Sequence, residues 1–255
     1  MKQLVLSQRV GPIAILTLNR PERHNSLVPE LLAELLAALE TVRSDLDVRA
    51  VVLQANGRSF STGGDLGAFH AHLDRLPAYA NEIVGLLNQV VLALVELPQP
   101  VVAAVHGIVT GGSLGLVLGC DVVLVVPEAS FTPYYSVVGF SPDGGWTAML
   151  PSIIGPKRAA EVLLRNLTIT AQQAVAWGMA SCIVPGERIR DEALCVAQEF
   201  VNGKLGSLRC TRCLLSLAYG DLAARLEAER AQFVQQVDTD EARQGIITFL
   251  GGRRK

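Results

Sequence analysis

Residues 110–121 read TGGSLGLVLGCD and contain Gly111-Gly112-Ser113-Leu114-Gly115. This is the G-x-S-x-G spacing that presents a nucleophilic serine on a sharp turn in many hydrolases. Such a serine needs a histidine to accept its proton, and in that architecture the histidine follows it in the chain. The four histidines, His24, His70, His72 and His106, all precede Ser113. Triads occur in other chain orders, so the order disfavours a hydrolase without excluding it. His106 lies too near along an extended segment to fold back onto Ser113 and is expected to be satisfied in the core. The dinucleotide fingerprint G-x-G-x-x-G is missed both at Gly63-Gly64-Asp65-Leu66-Gly67 and at Gly111 to Gly115, and there is no Walker loop.

What remains is backbone chemistry. The pairs Gly63-Gly64 and Gly111-Gly112 are each expected at the C-terminal end of a strand, the end at which open parallel sheets bind ligands. Glycine lets backbone approach a ligand closely, and unpaired amides at a helix start favour negative charge. Two such amides can form an oxyanion hole. The alternative is that the glycines only permit tight turns. For Gly115 and Gly119, four residues apart, close packing of a helix on its neighbour is the preferred reading.

The elements that must hold these turns are legible in outline. IAILTL (13–18) is a strand, a leucine stripe with Pro29 near its start predicts a helix over about 29–42, and RAVVLQA (49–55) returns as a strand. That β-α-β crossover requires parallel strands. A second helix over about 79–96 leads to the strand VVAAV (101–105), and DVVLVV (121–126) gives another. Residues 101–126 are long and apolar enough to raise a membrane span, but His106, Asp121 and five glycines favour strand, turn, helix and strand in a buried core. Beyond residue 156 the pattern is helical, with Thr170 and Gln173 as a capping box and Gly178 as a stop. The expected organisation is an α/β core over 1–195 and a helical C-terminal region over 196–255.

Composition narrows the classes. With 255 residues, half of them hydrophobic, the chain can bury a large core, and a formal net charge of −2 offers no electrostatic case for nucleic acid. The five cysteines include one C-x-x-C, Cys210 to Cys213, without a second pair or a nearby histidine, so no metal site is expected. The N-terminus does not read as a signal peptide, and the expected location is the cytoplasm, with no membrane partner.

Four segments in order, NRPERHNSL (19–27), GRSFSTGGDL (57–66), PVVAAVHGIVTGGSLGLVLGCDVVL (100–124) and VGFSPDGGWTAMLPSIIG (138–155), resemble the signature segments of the enoyl-CoA hydratase/isomerase, or crotonase, superfamily. TAQQAVAWGMASCIVP (170–185) and DTDEARQGIITFLGGRRK (238–255) are similar to its later segments. The resemblance implies a crotonase-like spiral of β-β-α units with a helical C-terminal trimerisation region, assembled as a homotrimer or a dimer of trimers. It implies an acyl-CoA thioester as substrate, with coenzyme A as part of that substrate and no separate cofactor. By position, the amides of Gly64 and Gly112 would hold the thioester oxygen. Arg23, Ser61, Gly63, Asp65 and Leu66 would line the path of the nucleotide and pantetheine arm, with Arg23 or Arg58 as a phosphate partner or simply a solvated arginine.

The chain also departs from the family pattern. The two glutamates of the family's hydratases fall at Gly115 and Tyr135, and neither Glu128 nor Glu161 replaces them, which argues against ordinary hydration. Asp143, in SPDGG, falls on the acid of the family's isomerases and the nucleophile of its aryl-CoA dehalogenases. Those dehalogenases carry tryptophan where Tyr135 stands. An Asp before Gly-Gly is also a good helix N-cap. The apolar neighbours Tyr135, Val138, Phe140 and Trp146 would raise its pKa toward that of a base useful at neutral pH. Tyr135 would shape the pocket, donate to substrate, or serve as wall. GFSPDGGW resembles the epoxyphenylacetyl-CoA isomerase branch most, so isomerisation leads. A hydratase with another acid, a dehalogenase and a non-catalytic acyl-CoA binding subunit stand as alternatives.

Overall fold

The computed structural model describes residues 3–252; Met1, Lys2 and the end of the expected C-terminal region, Arg253 to Lys255, lie outside the described residues. Five of the six residues in Ile13–Leu18 are apolar, and this strand, β2, is buried along its whole length. It pairs antiparallel with β1 (Val5–Val10) and parallel with β3 (Ala50–Ala55), with α1 (Pro29–Ser44) as the crossover. The expected β-α-β unit is therefore present. The large sheet continues through β4 (Val101–Val105), β6 (Val122–Val125) and β9 (Cys182–Ile183), in the order β1-β2-β3-β4-β6-β9. A small sheet is ordered β5 (Ile108–Thr110), β7 (Ser130–Thr132), β8 (Ile169–Thr170).

Successive turns of chain build a spiral. Each full unit adds a strand to the large sheet, a short strand to the small one, and then a helix, as in β4–β5 followed by α4 (Leu114–Leu118) and β6–β7 followed by α5 (Tyr135–Val138). In the unit before them β3 precedes α2 (Leu66–Ala71) and α3 (Leu76–Glu96), and the short strand shrinks to one parallel bridge, Ser61 to Val109. The expectation that both glycine pairs follow strands is thus corrected for Gly63-Gly64, which follows that single bridge.

After residue 149 come α6 (Leu150–Ile154), α7 (Pro156–Leu164), α8 (Ala171–Ala176), α9 (Ile189–Asn202), α10 (Leu205–Ser216), α11 (Leu222–Val237) and α12 (Asp240–Gly252). Thr170 and Gln173 form the expected capping box on α8, and Gly178 follows that helix with φ +79°. The helical expectation needs one amendment, because β8 and β9 are strands two residues long that add to the sheet edges. Leu226, Phe233 and Ile246 of the last helices belong to the same apolar core as Leu16 and Leu53.

Residues 101–126 are two strands, a glycine turn, a short helix and a further strand. Among the described residues one stretch, Leu73–Glu96, is long and apolar enough to cross a membrane by length and composition. In this fold α3 packs against α1 and α11, with Ile83, Leu87, Val90 and Leu94 buried.

Gly115 and Gly119 let α4 sit close to α3. A Cβ on Gly115 would lie 2.6 Å from the Gly144 carbonyl oxygen and 2.7 Å from Val91 Cγ2; one on Gly119 would lie 3.0 Å from Leu94 Cβ. Gly115→Ala is expected to lower stability by about 1–3 kcal/mol, because neither backbone nor a packed valine can yield cheaply. Gly85→Ala on α3, whose Cβ would meet only Arg230 Cδ at 3.9 Å, is expected to raise stability by about 0.5–1 kcal/mol. Urea denaturation of the two variants checks both signs.

Candidate active site

The site begins with register. The backbone of Ser61 pairs on both sides with the next unit, its amide donating to Ile108 O and its carbonyl accepting from Thr110 N, both at 3.2 Å. Counting three residues onward from the Ser61–Val109 bridge brings Gly64 and Gly112 to corresponding places in adjacent turns. Gly63, at φ +70°, presses on the neighbouring turn so tightly that a Cβ would lie 2.6 Å from Thr110 O. Neither the Gly64 nor the Gly112 amide donates to a protein acceptor among the described residues. Both line one cleft of about 410 Å³.

Ser113 follows this turn but is no nucleophile by geometry. Its hydroxyl is fully buried and directed at two carbonyls, Thr110 O at 2.6 Å and Ser61 O at 3.0 Å. It ties the two glycine turns together. His106 is half-buried with Nε2 2.9 Å from Gly57 O, and burial lowers its pKa.

Asp143 is buried and lines the same cleft. A Cβ placed on Gly112 would stand 3.0 and 3.1 Å from its two carboxylate oxygens, so the absence of a side chain at 112 makes room for them. Tyr135 donates to Oδ1 at 2.5 Å, with the Asp143 carbonyl at 3.0 Å from the same hydroxyl. Burial pushes the Asp143 pKa up to about 7, with the Tyr135 hydrogen bond pulling it down and the charge of Glu229 pushing it up. The phenol of Tyr135 is in turn held well above its ordinary value, by burial first and the neighbouring carboxylate second.

Glu229 escaped the sequence reading. It projects from α11, buried, into the turn that follows Asp143. Its Oε2 accepts from Gly145 N at 2.8 Å, and its Oε1 accepts from Thr147 N and Thr147 Oγ1, both at 2.7 Å, and Ala148 N at 2.9 Å. The N-cap alternative for Asp143 is thereby corrected: the amides of its turn are taken by a carboxylate 86 residues away, and no side-chain bond from Asp143 to them is formed. A signal existed, since Leu222, Leu226, Glu229, Phe233 and Val237 form the buried stripe of α11, and a glutamate at that spacing is out of place on an apolar face.

The remaining expected site residues divide. Gly63, Leu66, Asp65, Arg23 and Tyr135 line the cleft. The carboxylate of Asp65 is nonetheless engaged: it pairs with Arg20 at 2.7 Å and Arg23 at 3.0 Å and caps α2 through Gly67 N and Ala68 N. Burial raises its pKa, but the two arginines outweigh that and hold it below the ordinary value. Ser61 is corrected from the wall to the frame, being fully buried with its hydroxyl donating to Asn25 O at 2.7 Å. Arg58 is exposed and outside the cleft lining, so of the two candidate phosphate partners only Arg23, half exposed, is placed there. The apolar wall includes Leu87, Val138 and the aromatic rings of Phe69, Phe140 and Phe233. No cluster of three or more His, Cys, Asp or Glu able to hold a metal occurs among the described residues.

Known proteins share this architecture. A family model described as enoyl-CoA hydratase/isomerase matches residues 8–255. The chain is 31% identical to the 1,2-epoxyphenylacetyl-CoA isomerase of Escherichia coli K12, over 99% of this chain and 97% of that protein. It is 35% identical to a Thermus thermophilus protein bearing an enoyl-CoA hydratase name, over 95% and 96%. A crystal structure of enoyl-CoA hydratase from Bacillus halodurans superposes with a TM-score of 0.90 at 25% identity, covering 96% of this chain and all of the other.

The raised pKa has a stability consequence. A carboxyl titrating at about 7 when folded and near 3.8 otherwise holds a proton that the unfolded chain has lost. It therefore favours folding at low pH, and that contribution disappears as pH rises through 7. Asp143→Asn is expected to gain stability relative to the parent as pH goes from 4 to 7.5, measured by thermal denaturation across that range.

Proposed function

This chain belongs to the enoyl-CoA hydratase/isomerase family and is an acyl-CoA enzyme of the crotonase type, and from that premise we propose that it moves a double bond within an enoyl-CoA thioester. The Asp143 carboxylate removes a proton from the α-carbon of a β,γ-unsaturated acyl-CoA. The C–H electron pair moves toward the carbonyl, giving a dienolate whose oxygen accepts from the amides of Gly64 and Gly112. The protonated Asp143 then returns the proton to the γ-carbon, and the double bond is left between α and β. Atoms and charge balance with no further reactant.

The observation that carries this reading is the single buried carboxylate that faces Gly112 with no cationic partner among the described residues. A pKa near the working pH suits a group that must take a proton and give it back. Each oxyanion donor is worth about 2.7–4 kcal/mol in a dry, preorganised setting. Hydration needs a second group to activate water. The two places where the family's hydratases carry glutamate do not provide it: the space over Gly115 is filled by Gly144 O and Val91, and Tyr135 donates to Asp143. Glu229 is taken up by four donors.

The rings of Phe69, Phe140 and Phe233 support an aromatic or ring-derived acyl group, in line with the relative's printed name. Arg23 is the candidate for the nucleotide phosphates; coenzyme A enters as part of the substrate, and no other cofactor is needed. A homotrimer or dimer of trimers, located in the cytoplasm, completes the reading; the exposed Leu214 and Leu215 of α10 and Leu217 just after it support self-association.

The test is a panel of β,γ-unsaturated acyl-CoA esters, including arylated ones, followed by the absorbance of the conjugated thioester. Asp143→Asn is expected to lower kcat by about 10²–10⁴-fold with little change in KM. In the parent, kcat/KM should rise with pH and level off above about 7, because only the ionised carboxylate accepts a proton. Turnover that survives Asp143→Asn, or hydration that outpaces isomerisation, would refute the proposal.

A further inference from the structure

A turn built on Asp-Gly-Gly has inward amides and an aspartate at the position from which N-caps ordinarily reach them. Buried donors must be matched, and the buried carboxyl of Asp143, two residues before Gly145 and four before Thr147, is the nearest candidate in the chain. Yet here the amides of Gly145, Thr147 and Ala148, and the Thr147 hydroxyl, all converge on Glu229. Arg225 from the same helix adds a bond to Thr147 O at 3.2 Å, and the Trp146 indole donates to Gly111 O at 2.8 Å. The turn is thus fastened to α11 on one side and to the glycine turn on the other.

From this division of labour we infer that Glu229 is a positioning residue, which takes over the capping of the 144–148 turn and thereby leaves the Asp143 carboxyl directed at the cleft beside Gly112. The inference deepens the isomerase reading and rests on Asp143 as its acid and base. Glu229 touches no substrate atom in this scheme; it acts through the turn. It acts through charge as well. The titratable side chains that act on the Asp143 carboxyl among the described residues are Tyr135 from α5 and Glu229 from α11; Gly112 of the glycine turn lies beside it, and Leu87 from α3 lies against that same glycine. With the proton of Tyr135 donated to it and the negative charge of Glu229 behind it, Asp143 is tuned from two opposed sides.

The experiment needs no known substrate. Protein labelled with ¹³C at the aspartate carboxyl is titrated by NMR, the Asp143 resonance being the one lost in Asp143→Asn. In the parent its midpoint is expected at about 7. Glu229→Gln keeps an oxygen for Thr147 and Ala148 but sets a non-accepting NH2 against Gly145 N and removes the charge, and the midpoint should fall by about one unit. Glu229→Ala orphans all four donors; the Asp143 carboxyl should then turn onto them and titrate below the ordinary aspartate range near 3.9. With a β,γ-unsaturated acyl-CoA, Glu229→Ala should lose at least about tenfold in kcat while KM stays within about twofold, the pattern of a lost transition-state interaction. Midpoints within about 0.2 unit of the parent in a folded Glu229→Gln protein would overturn the inference. Should Glu229→Ala fail to fold, Glu229→Gln alone decides. Activity surviving in Asp143→Asn would overturn the isomerase reading, whereas the titration would still report on Glu229.

Discussion

Three stretches of backbone meet at the floor of the cleft with no side chain between them. Gly63 lies against Thr110, Gly144 at φ +60° lies against Gly112, and Gly115 lies against the Gly144 carbonyl; a Cβ at any of these would approach backbone to 2.6 Å or less. Contacts this close are open to glycine alone, and at Gly63 and Gly144 the positive φ adds a second reason. Everything chemical about the site depends on this contact. It brings two amides that donate to no protein acceptor among the described residues into one cleft, and it sets the turn bearing Asp143 directly over one of them. A reaction that needs fixed dipoles at a developing charge gains from such a floor, because backbone held on three sides does not reorganise as the charge appears.

The carboxylates around this floor are distinguished by their partners rather than by their chemistry. Asp65 is held by two arginines and a helix start, and stays ionised. Glu229 is surrounded by four donors and fastens the turn to α11. Asp143 meets one hydroxyl and, among the described residues, no cation, and burial brings its pKa to about 7. Two of these similar side chains thus serve as clamp and cap, and the third is the proposed proton carrier, all close to the same cavity.

Much of this was legible before folding. Periodicity located β2, α1, β3, α3 and β4, and the capping box on α8 was read from Thr170 and Gln173 alone, because each rests on local rules of spacing. β1 was missed because only Val5 of VLSQRV is buried, which leaves an edge strand without apolar alternation. β5, β7, β8 and β9 are two or three residues long, too short to carry any period. Asp65 read as cleft lining, although DLGAFHA also fits a cap before a short helix, and its two arginines are set by tertiary contact. The partnership of Glu229 with the Asp143 turn spans more than eighty residues, and no local rule reaches that far. What was visible was the anomaly of a glutamate on the buried stripe of α11.

The most direct measurement is the ¹³C resonance of a labelled thioester carbonyl in a non-reacting acyl-CoA bound to the protein. Two converging amides should draw electron density to the oxygen and move that resonance downfield on binding, and the shift should shrink when Gly112 is replaced by alanine. A bound carbonyl resonating where it does in water would mean that the amides of Gly64 and Gly112 do not meet on the substrate oxygen.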